Sequence, residues 1–316
     1  MGQKQRSAVV ALGGNCIIRE GQVGNIAQQF TNTQSTVSGL MKLIEEDYQL
    51  LLTHGNGPQV GNLFLMVEST RNFIPELPLG VCVADTQSQI GYMIQQSLQN
   101  HLLQQGRPRQ VVTLISQVVV DHNDPSLTIP KKPIGPIYSE EKAREIEELY
   151  PWKIFGDSER GYRLVVPSPV PVRVVETPLI SSLLDRGIVV IAGGGGGIPV
   201  IETEDGGHEG VDVVIEKDLT ASLLARDIKA ELLVFLTKVE KVAIHFNTPQ
   251  EQTFEKLHIE EAMDYLEQGQ FPSTSMGPKI RAAIDFLRDG GEEVLITAAG
   301  KLPDALAGLT GTRIVK

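Results

Sequence analysis

Ser7-Ala8-Val9-Val10-Ala11-Leu12-Gly13-Gly14-Asn15 is the stretch from which the fold can be read. Residues 8–12 are apolar without a polar break, the pattern of a strand covered on both faces, as in a parallel sheet. The run empties into two glycines. With no Cβ in the way, backbone N–H groups there can close on an anion. The same plan recurs twice. Leu50-Leu51-Leu52-Thr53 leads into His54-Gly55-Asn56-Gly57, and Ile188-Val189-Val190-Ile191-Ala192 leads into Gly193 through Gly197. Three buried strands that each end in a glycine-rich loop predict one crevice, lined by backbone donors, at the carboxyl edge of one sheet.

Working outward, residues 22–33 are polar and read as an irregular connection, and Thr36 to Tyr48 has helical spacing. Pro58 suits the first turn of a helix to about Thr70, which aims a helix N-terminus at the Gly55-Asn56-Gly57 loop. Asp85 reads as the N-cap of a helix to about Gln105, and Gln110 to Val120 as one buried strand. Residues 122–178 are rich in proline and in charges of both signs, and hold the lone tryptophan, Trp152. A structureless loop that long would be unusual, so they read as an inserted subdomain, a lid at the active edge. Beyond it come a helix at 177–186, a run from Gly210 to Lys217 leading into a helix capped by Asp218, and strands at 232–236, 242–246, 294–297 and 312–315. Helices at 259–267 and 276–288 complete the alternation. The expectation is an α/β layered fold with a mostly parallel sheet, one domain over residues 1–316 carrying the insertion.

The totals exclude several classes. The formal net charge of −11 over 316 residues argues against a nucleic-acid protein, which would show a basic face. It leaves room for a phosphate ligand beside a few local lysines. Two cysteines, Cys16 and Cys82, make no disulfide framework and suit a reducing cytoplasm. Cys16 reads as a small buried apolar residue. The N-terminus lacks a signal peptide's apolar run, and no stretch is apolar enough to span a bilayer.

The familiar motifs are missing. No G-x-x-x-x-G-K-[ST] run occurs, the G-N-G-P-Q-V-G run is not a dinucleotide fingerprint, and no G-x-S-x-G elbow is present. Six histidines lack zinc spacing, and only His54, in a glycine loop, invites attention. What remains is lysines beside glycine and proline at loop and helix starts: Lys131 and Lys132 in K-K-P-I-G-P, Lys217 before Asp218, and Lys279 after Ser275-Met276-Gly277-Pro278. Glycine amides, helix N-termini and ammonium groups around one crevice are what phosphoryl transfer requires, because the protein must position two reactants and neutralise charge.

The ordered set V-V-A-L-G-G-N, T-H-G-N-G-P-Q-V-G-N, K-P-I-G-P-I-Y, V-V-P-S-P, G-G-G-G-I-P-V, G-V-D-V-V-I-E-K-D-L and S-M-G-P-K-I-R-A-A resembles carbamate kinase, a branch of the amino acid kinase superfamily. The matches run from about residue 7 to 288. The resemblance implies an open three-layer α/β/α sandwich with a protruding subdomain, usually a homodimer. It implies the reaction ATP + carbamate ⇌ ADP + carbamoyl phosphate with Mg²⁺, run by many members toward ATP. By position, Gly13, Gly14, Asn15, Gly55, Asn56 and Gly57 would hold carbamate and the moving phosphoryl group. Lys132, Lys217 and Lys279 would stabilise its charge, and Asp218 would orient the lysines. Thr237, Lys238, Ser275, Met276 and Gly277 would cover the nucleotide. Asp157, Arg160 and Arg163 match a D-x-x-R-G-x-R run, with Tyr162 where tryptophan is common. Lys238 departs from the usual Asp or small residue, Cys16 from alanine, and Asp85-Thr86-Gln87-Ser88-Gln89 is more polar than typical.

The inventory agrees with that chemistry. Carbamate is already an anion, so no general base is needed, and two anions forced together call for lysines and amides. Mg²⁺ would ride mainly on nucleotide phosphates and water. Two rivals stay open: another amino acid kinase with a larger acid substrate, and a relative that keeps the fold without catalysis.

Overall fold

The computed structural model describes residues 5–150, 152–157 and 161–316. The chain opens with β1 (Ser7–Leu12), α1 (Ile26–Glu45) and β2 (Gln49–His54), then α2 (Gly57–Thr70), α3 (Leu79–Gln104), β3 (Val111–Thr113) and β4 (Gln117–Val120). An antiparallel unit follows, made of β5 (Pro130–Tyr138), α4 (Glu140–Leu149), β6 (Lys153–Asp157) and β7 (Gly161–Pro167). The return runs through β8 (Pro171–Val174), α5 (Thr177–Asp185), β9 (Val189–Ile191), β10 (Ile198–Glu202) and β11 (His208–Gly210). Then come α6 (Lys217–Asp227), β12 (Leu232–Thr237), β13 (Val242–Ile244), β14 (Gln252–Phe254), β15 (Lys256–His258), α7 (Ile259–Glu267) and α8 (Met276–Arg288). The chain closes with β16 (Glu293–Ala298), α9 (Leu302–Leu306) and β17 (Thr312–Val315).

The central sheet has the order β15-β17-β16-β12-β1-β2-β9-β3. Only the β16–β17 pairing is antiparallel. β1 sits in the middle, with Ala8 opposite both Leu232 and Leu50. Its unbroken apolar run follows from that place. Successive side chains point to opposite faces of a strand. Val9 and Ala11 therefore pack with α6 and α8 through Ala221, Leu224, Ile280 and Ala283. Ala8, Val10 and Leu12 pack with α1 and α3 through Leu40, Leu43, Ile90 and Ile94. Both faces are dry, which makes three layers, helix on sheet on helix. Because β1, β2 and β12 are parallel, their carboxyl ends emerge together. The loops after them meet where the chain order switches direction about β1, and a crevice opens there.

The third glycine strand, β9, lies two places from β1, and its loop reaches the crevice at Gly195. A smaller sheet, β11-β10-β4-β8, and the unit β5-β7-β6 flank the same edge. β8 pairs with β4, while β5, β7 and β6 form their own small sheet, which packs on α2 and α3 through Ile134, Leu164 and Val166.

Several local expectations change. The polar stretch at 22–33 is not irregular throughout, because α1 starts at Ile26. Asn25 accepts the Gln28 amide at 3.0 Å and Gln28 closes the capping box. Its buried polar residues serve the first glycine loop: Asn32 donates to the Ile17 carbonyl and Thr36 to that of Cys16. α3 starts at Leu79, two turns before Asp85. The strand expected over 110–120 divides in two. Gln87 receives the Ser116 amide and donates to the Ser116 carbonyl, holding the break and sending β4 into the second sheet. The helix cap is Glu216, not Asp218, so Lys217 and Asp218 begin α6 itself.

Candidate functional site

A cavity of about 520 Å³ opens at the carboxyl ends of β1, β2 and β12. Of the residues expected in the site, Gly13, Gly14, Asn15, Gly55, Asn56, Gly57, Lys132, Lys217, Thr237, Lys238, Ser275, Met276 and Lys279 all line it. Asp218 lies beneath the floor, 2% exposed. Gly277 faces a neighbouring cavity that shares Lys132, Arg163 and Glu216 with the first. Arg160 and the side chain of Asp157 lie outside the described residues.

The glycine loops divide their duties in a way the sequence did not show. The Gly13 amide donates to the Leu236 carbonyl at 2.9 Å and the Gly55 amide to that of Leu12 at 3.0 Å. Those two amides tie the loops to neighbouring strands. A Cβ on Gly13 would sit 2.5 Å from the Leu236 carbonyl oxygen, so the approach requires glycine. Amides without a partner in the helix come instead from the first turns that follow. Gly14 opens a single 3-10 turn and Gly57 opens α2, and first-turn amides have no partner within the helix. Beneath them, Gly195 adopts φ +66°, and a Cβ there would strike the Asn56 side chain at 2.2 Å.

The third loop is scaffold. Its carbonyls accept Thr53 Oγ1 at Gly193, Gln87 Nε2 at Gly194 and Thr220 Oγ1 at Gly196. Asn56 is held by Thr86, Nδ2 donating to Oγ1 at 2.8 Å. Thr86 and Gln87, noted in the sequence only as unusually polar, are thus fully buried struts for two glycine loops. Asn15 Nδ2 donates to the Thr237 carbonyl at 2.9 Å, joining the β1 loop to the β12 loop.

Charge is concentrated on the floor. Lys217 Nζ meets Asp218 Oδ1 at 2.5 Å, and Lys279 Nζ meets Asp218 Oδ2 at 3.0 Å. Lys279 also donates to the Ser275 carbonyl at 3.2 Å, fixing the turn before α8. The lysine side chains are 9% and 10% exposed. Burial alone would raise the Asp218 pKa, but the two ammonium groups outweigh it and hold the carboxyl well below its usual range. Burial pulls Lys217 down, against the attraction of Asp218 and with the repulsion of Lys279. For Lys279 burial also disfavours charge, yet Asp218 prevails and its pKa is raised. Two cations thus share one anion in a dry place, and the surplus positive charge faces the cavity.

Two contributors were not picked out from the sequence. Glu216 pairs through Oε2 with Lys132 Nζ, linking β5 to the start of α6. Its position next to Lys217 was the available signal. Arg163, noted only within the D-x-x-R-G-x-R run, donates through Nε and Nη2 to the Gly135 carbonyl and brings its guanidinium beside Gly57. His54, by contrast, is scaffold. It is buried, its Nδ1–H faces the Gly55 carbonyl at 3.2 Å, and burial pushes its pKa down to about 4. Burial pushes the Cys16 thiol up to about 11, which suits a packed apolar residue and no nucleophile.

At the other end of the cavity, Thr237 and Lys238 face Ser275 and Met276 around Ala243 and Phe246. An apolar slot beside a hydroxyl-bearing loop suits a planar base. Lys238 is 66% exposed, 4.0 Å from Glu20. The carboxylates next to the crevice, Asp218 and Glu216, are both engaged by lysines. Among the described residues no cluster of three His, Cys, Asp or Glu side chains stands ready to hold a metal ion.

Backbone donors at one end, a base-sized slot at the other and buried ammonium groups between them define a phosphotransferase. The chain belongs to the amino acid kinase family, which it matches over residues 6–298. Its relatives narrow the branch. It is 47% identical over 311 residues to the carbamate kinase-like protein YahI of Escherichia coli K12, covering 98% of each. It is 43% identical over 314 residues to the carbamate kinase of Thermococcus kodakarensis, covering 98% of this chain and 99% of that one. Its fold superposes on the carbamate kinase of Giardia lamblia bound to citric acid with a TM-score of 0.94 at 37% identity. With the AMP-PNP complex of that enzyme the values are 0.89 and 38%. In both, 99% of each chain is covered. No helix among the described residues is long and apolar enough to cross a membrane.

Proposed function

We propose that the protein is a carbamate kinase that interconverts ATP and carbamate with ADP and carbamoyl phosphate, working toward ATP. The observation that carries this is the buried Lys217–Asp218–Lys279 cluster at the glycine loops. In the direction of carbamoyl phosphate synthesis, a carbamate oxygen attacks the γ-phosphorus, the bond to the β–γ bridging oxygen breaks, and its electrons leave on ADP. Carbamate arrives ionised, so no residue must take a proton from it. That fits a crevice whose two carboxylates are already bound by lysines.

The site residues take the following roles. Gly14, Asn15, Asn56 and Gly57 hold carbamate and the moving phosphoryl group, with Gly13 and Gly55 shaping the loops. Lys132, Lys217 and Lys279 neutralise the charge that develops between two anions, and Asp218 keeps the two buried lysines aimed at it. Thr237, Lys238, Ser275, Met276 and Gly277 form the nucleotide end. The donor set is short of free carboxylates, which fits Mg²⁺ carried on the nucleotide phosphates and water. When bound, the ion neutralises phosphate charge. The unit β5–β7, within residues 122–178, acts as a lid that brings Lys132 and Arg163 to the crevice. The assembly is a homodimer, supported by apolar Met66, Phe73, Ile74, Val81 and Tyr92 exposed on α2, α3 and their connection. Cytoplasmic residence is supported by the free thiols of Cys16 and Cys82.

The test is a coupled assay in which carbamoyl phosphate and ADP should yield ATP. No ATP there, with turnover of another carboxylic acid and ATP, would replace carbamate by that acid.

A further inference from the structure

Glu216 has no part in the chemistry just described, yet it is the one acidic side chain among the described residues lining the crevice. It stands among Lys132, Arg163, Lys217, Lys238 and Lys279. Its carboxylate makes no capping bond to α6, so helix formation does not use it. The main-chain carbonyl of Glu216 does that work, accepting the Leu219 and Thr220 amides. The carboxylate is directed across the crevice to Lys132 Nζ. Both side chains are largely shielded, 16% exposed for Lys132 and 24% for Glu216.

Lys132 needs such a partner. Its long flexible stem starts on β5, and holding a lysine in one position costs it rotamer freedom. Lys217 and Arg163 line the same crevice and repel it toward solvent. It also borders the neighbouring cavity, where Lys131 and Arg281 offer no attraction either.

We propose that Glu216 is a positioning residue: its carboxylate draws Lys132 into the crevice and holds its ammonium beside Lys217, aimed at the phosphoryl path. The inference rests on the carbamate kinase reading for its activity readout, but not for its second readout. The direct contact of the Glu216 carboxylate is with Lys132, and its pull on Lys217 and Lys279 is weaker than that of Asp218, so its loss has little further effect where Lys132 is already gone.

The experiment compares wild type, Glu216→Gln, Glu216→Asp, Lys132→Met and the double variant Glu216→Gln/Lys132→Met. In the ATP-forming assay, Glu216→Gln should lower kcat about tenfold or more, leave the KM for ADP within about twofold, and add less than about twofold in the Lys132→Met background. Glu216→Asp should recover most of the rate. Unchanged thermal melts exclude misfolding. The second readout is acetylation of Lys132 by a small reagent, followed by mass spectrometry on each protein without substrates. Lys132 should label faster in Glu216→Gln than in wild type. Wild-type kinetics in Glu216→Gln, or single effects that multiply in the double variant, would overturn the inference. If wild type makes no ATP from carbamoyl phosphate, the functional reading fails and the labelling decides alone; equal labelling then sinks the positioning role.

Discussion

Lys279 Nζ and Asp218 Oδ2 meet at 3.0 Å across 61 residues of chain, inside a floor from which solvent is nearly excluded. A buried pair of this kind contributes little net stability when intact, but removal of one partner leaves an uncompensated charge. Here the single carboxylate serves two ammonium groups, so its loss is the more severe case. Asp218→Asn should destabilise the fold by about 3–5 kcal/mol and abolish measurable ATP formation. Chemical denaturation alongside the coupled assay checks both. An Asp218→Asn protein with wild-type stability would mean that the two lysines find another counter-charge.

Lys217→Met makes the complementary case. It removes a cation from a cluster with a surplus of positive charge, and Asp218 keeps Lys279 at 3.0 Å. Stability should therefore change far less than in Asp218→Asn. The rate should fall by about 10²–10³, the scale for losing one preorganised charge-stabilising group. A split between fold and rate in Lys217→Met, against joint loss in Asp218→Asn, separates the charge stabiliser from the residue that orients it. Steady-state kinetics with carbamoyl phosphate and ADP, paired with melts, provides the comparison.

The legible part of this molecule was the part in which one residue type has one use. Ala8 through Leu12 had to be apolar on both faces because helices cover both, and that showed as an unbroken run. Lys217 and Lys279 stood out because lysines flanked by glycine or proline at helix starts have no packing duty. The misreadings came where polar residues do interior work. Gln29 and Asn32 are buried polar residues of α1, and they disguised its beginning as a loop because they hold the carbonyls of Gly24 and Ile17. For α3 the start was set too late, at Asp85, because aspartate favours a cap, and the helix begins at Leu79. Thr86 and Gln87 were read inside that helix, but their bracing of the glycine loops was not visible. Asp218 looked like a cap because aspartate favours that position, but the tertiary pull of two lysines gives it a different task. Glu216 was overlooked for a related reason: it precedes α6, and its partner lies 84 residues away on β5.

His54 supplies a prediction about pH. Burial lowers its pKa from an ordinary 6.5 to about 4, so the folded state keeps the ring neutral. The unfolded chain takes up a proton near pH 6.5, and the folded chain does not until about pH 4. Between those values the unfolded state binds more protons, so stability falls as pH drops. Over the whole window the loss should reach about 3 kcal/mol from this residue, levelling off below pH 4. Asp218 adds a second loss lower down. Its folded pKa is depressed, so its contribution is complete above the unfolded value and disappears as pH falls further. Denaturant midpoints between pH 7 and 4 should slope less in His54→Gln than in wild type. Parallel curves for the two proteins would remove His54 from the acid response.

Gly61 and Gly135 test how the lysine-bearing strand is seated. α2 packs on β5 with no side chain between the two backbones. A Cβ on Gly61 would lie 2.1 Å from both the nitrogen and Cα of Gly135. Gly135 itself has φ +71°, and its carbonyl holds Arg163 through two donors. Alanine is a better helix former than glycine by up to about 1 kcal/mol, so Gly61→Ala should favour α2 in isolation. The contact reverses that sign, because backbone cannot rotate away as a side chain can. Overpacking of this kind costs about 1–3 kcal/mol, relieved only if β5 moves off the helix. β5 carries Lys132, and the Gly135 carbonyl anchors Arg163, so the shift would withdraw two cations from the crevice together. Gly61→Ala should therefore lose kcat, although Gly61 does not line the crevice, while the KM for ADP holds, since the nucleotide end proposed above is built on β12 and α8. Kinetics for both substrates, with a melt, reads this out. An equal rise in the KM for ADP would show that the strain spreads through the body of the fold instead of stopping at β5.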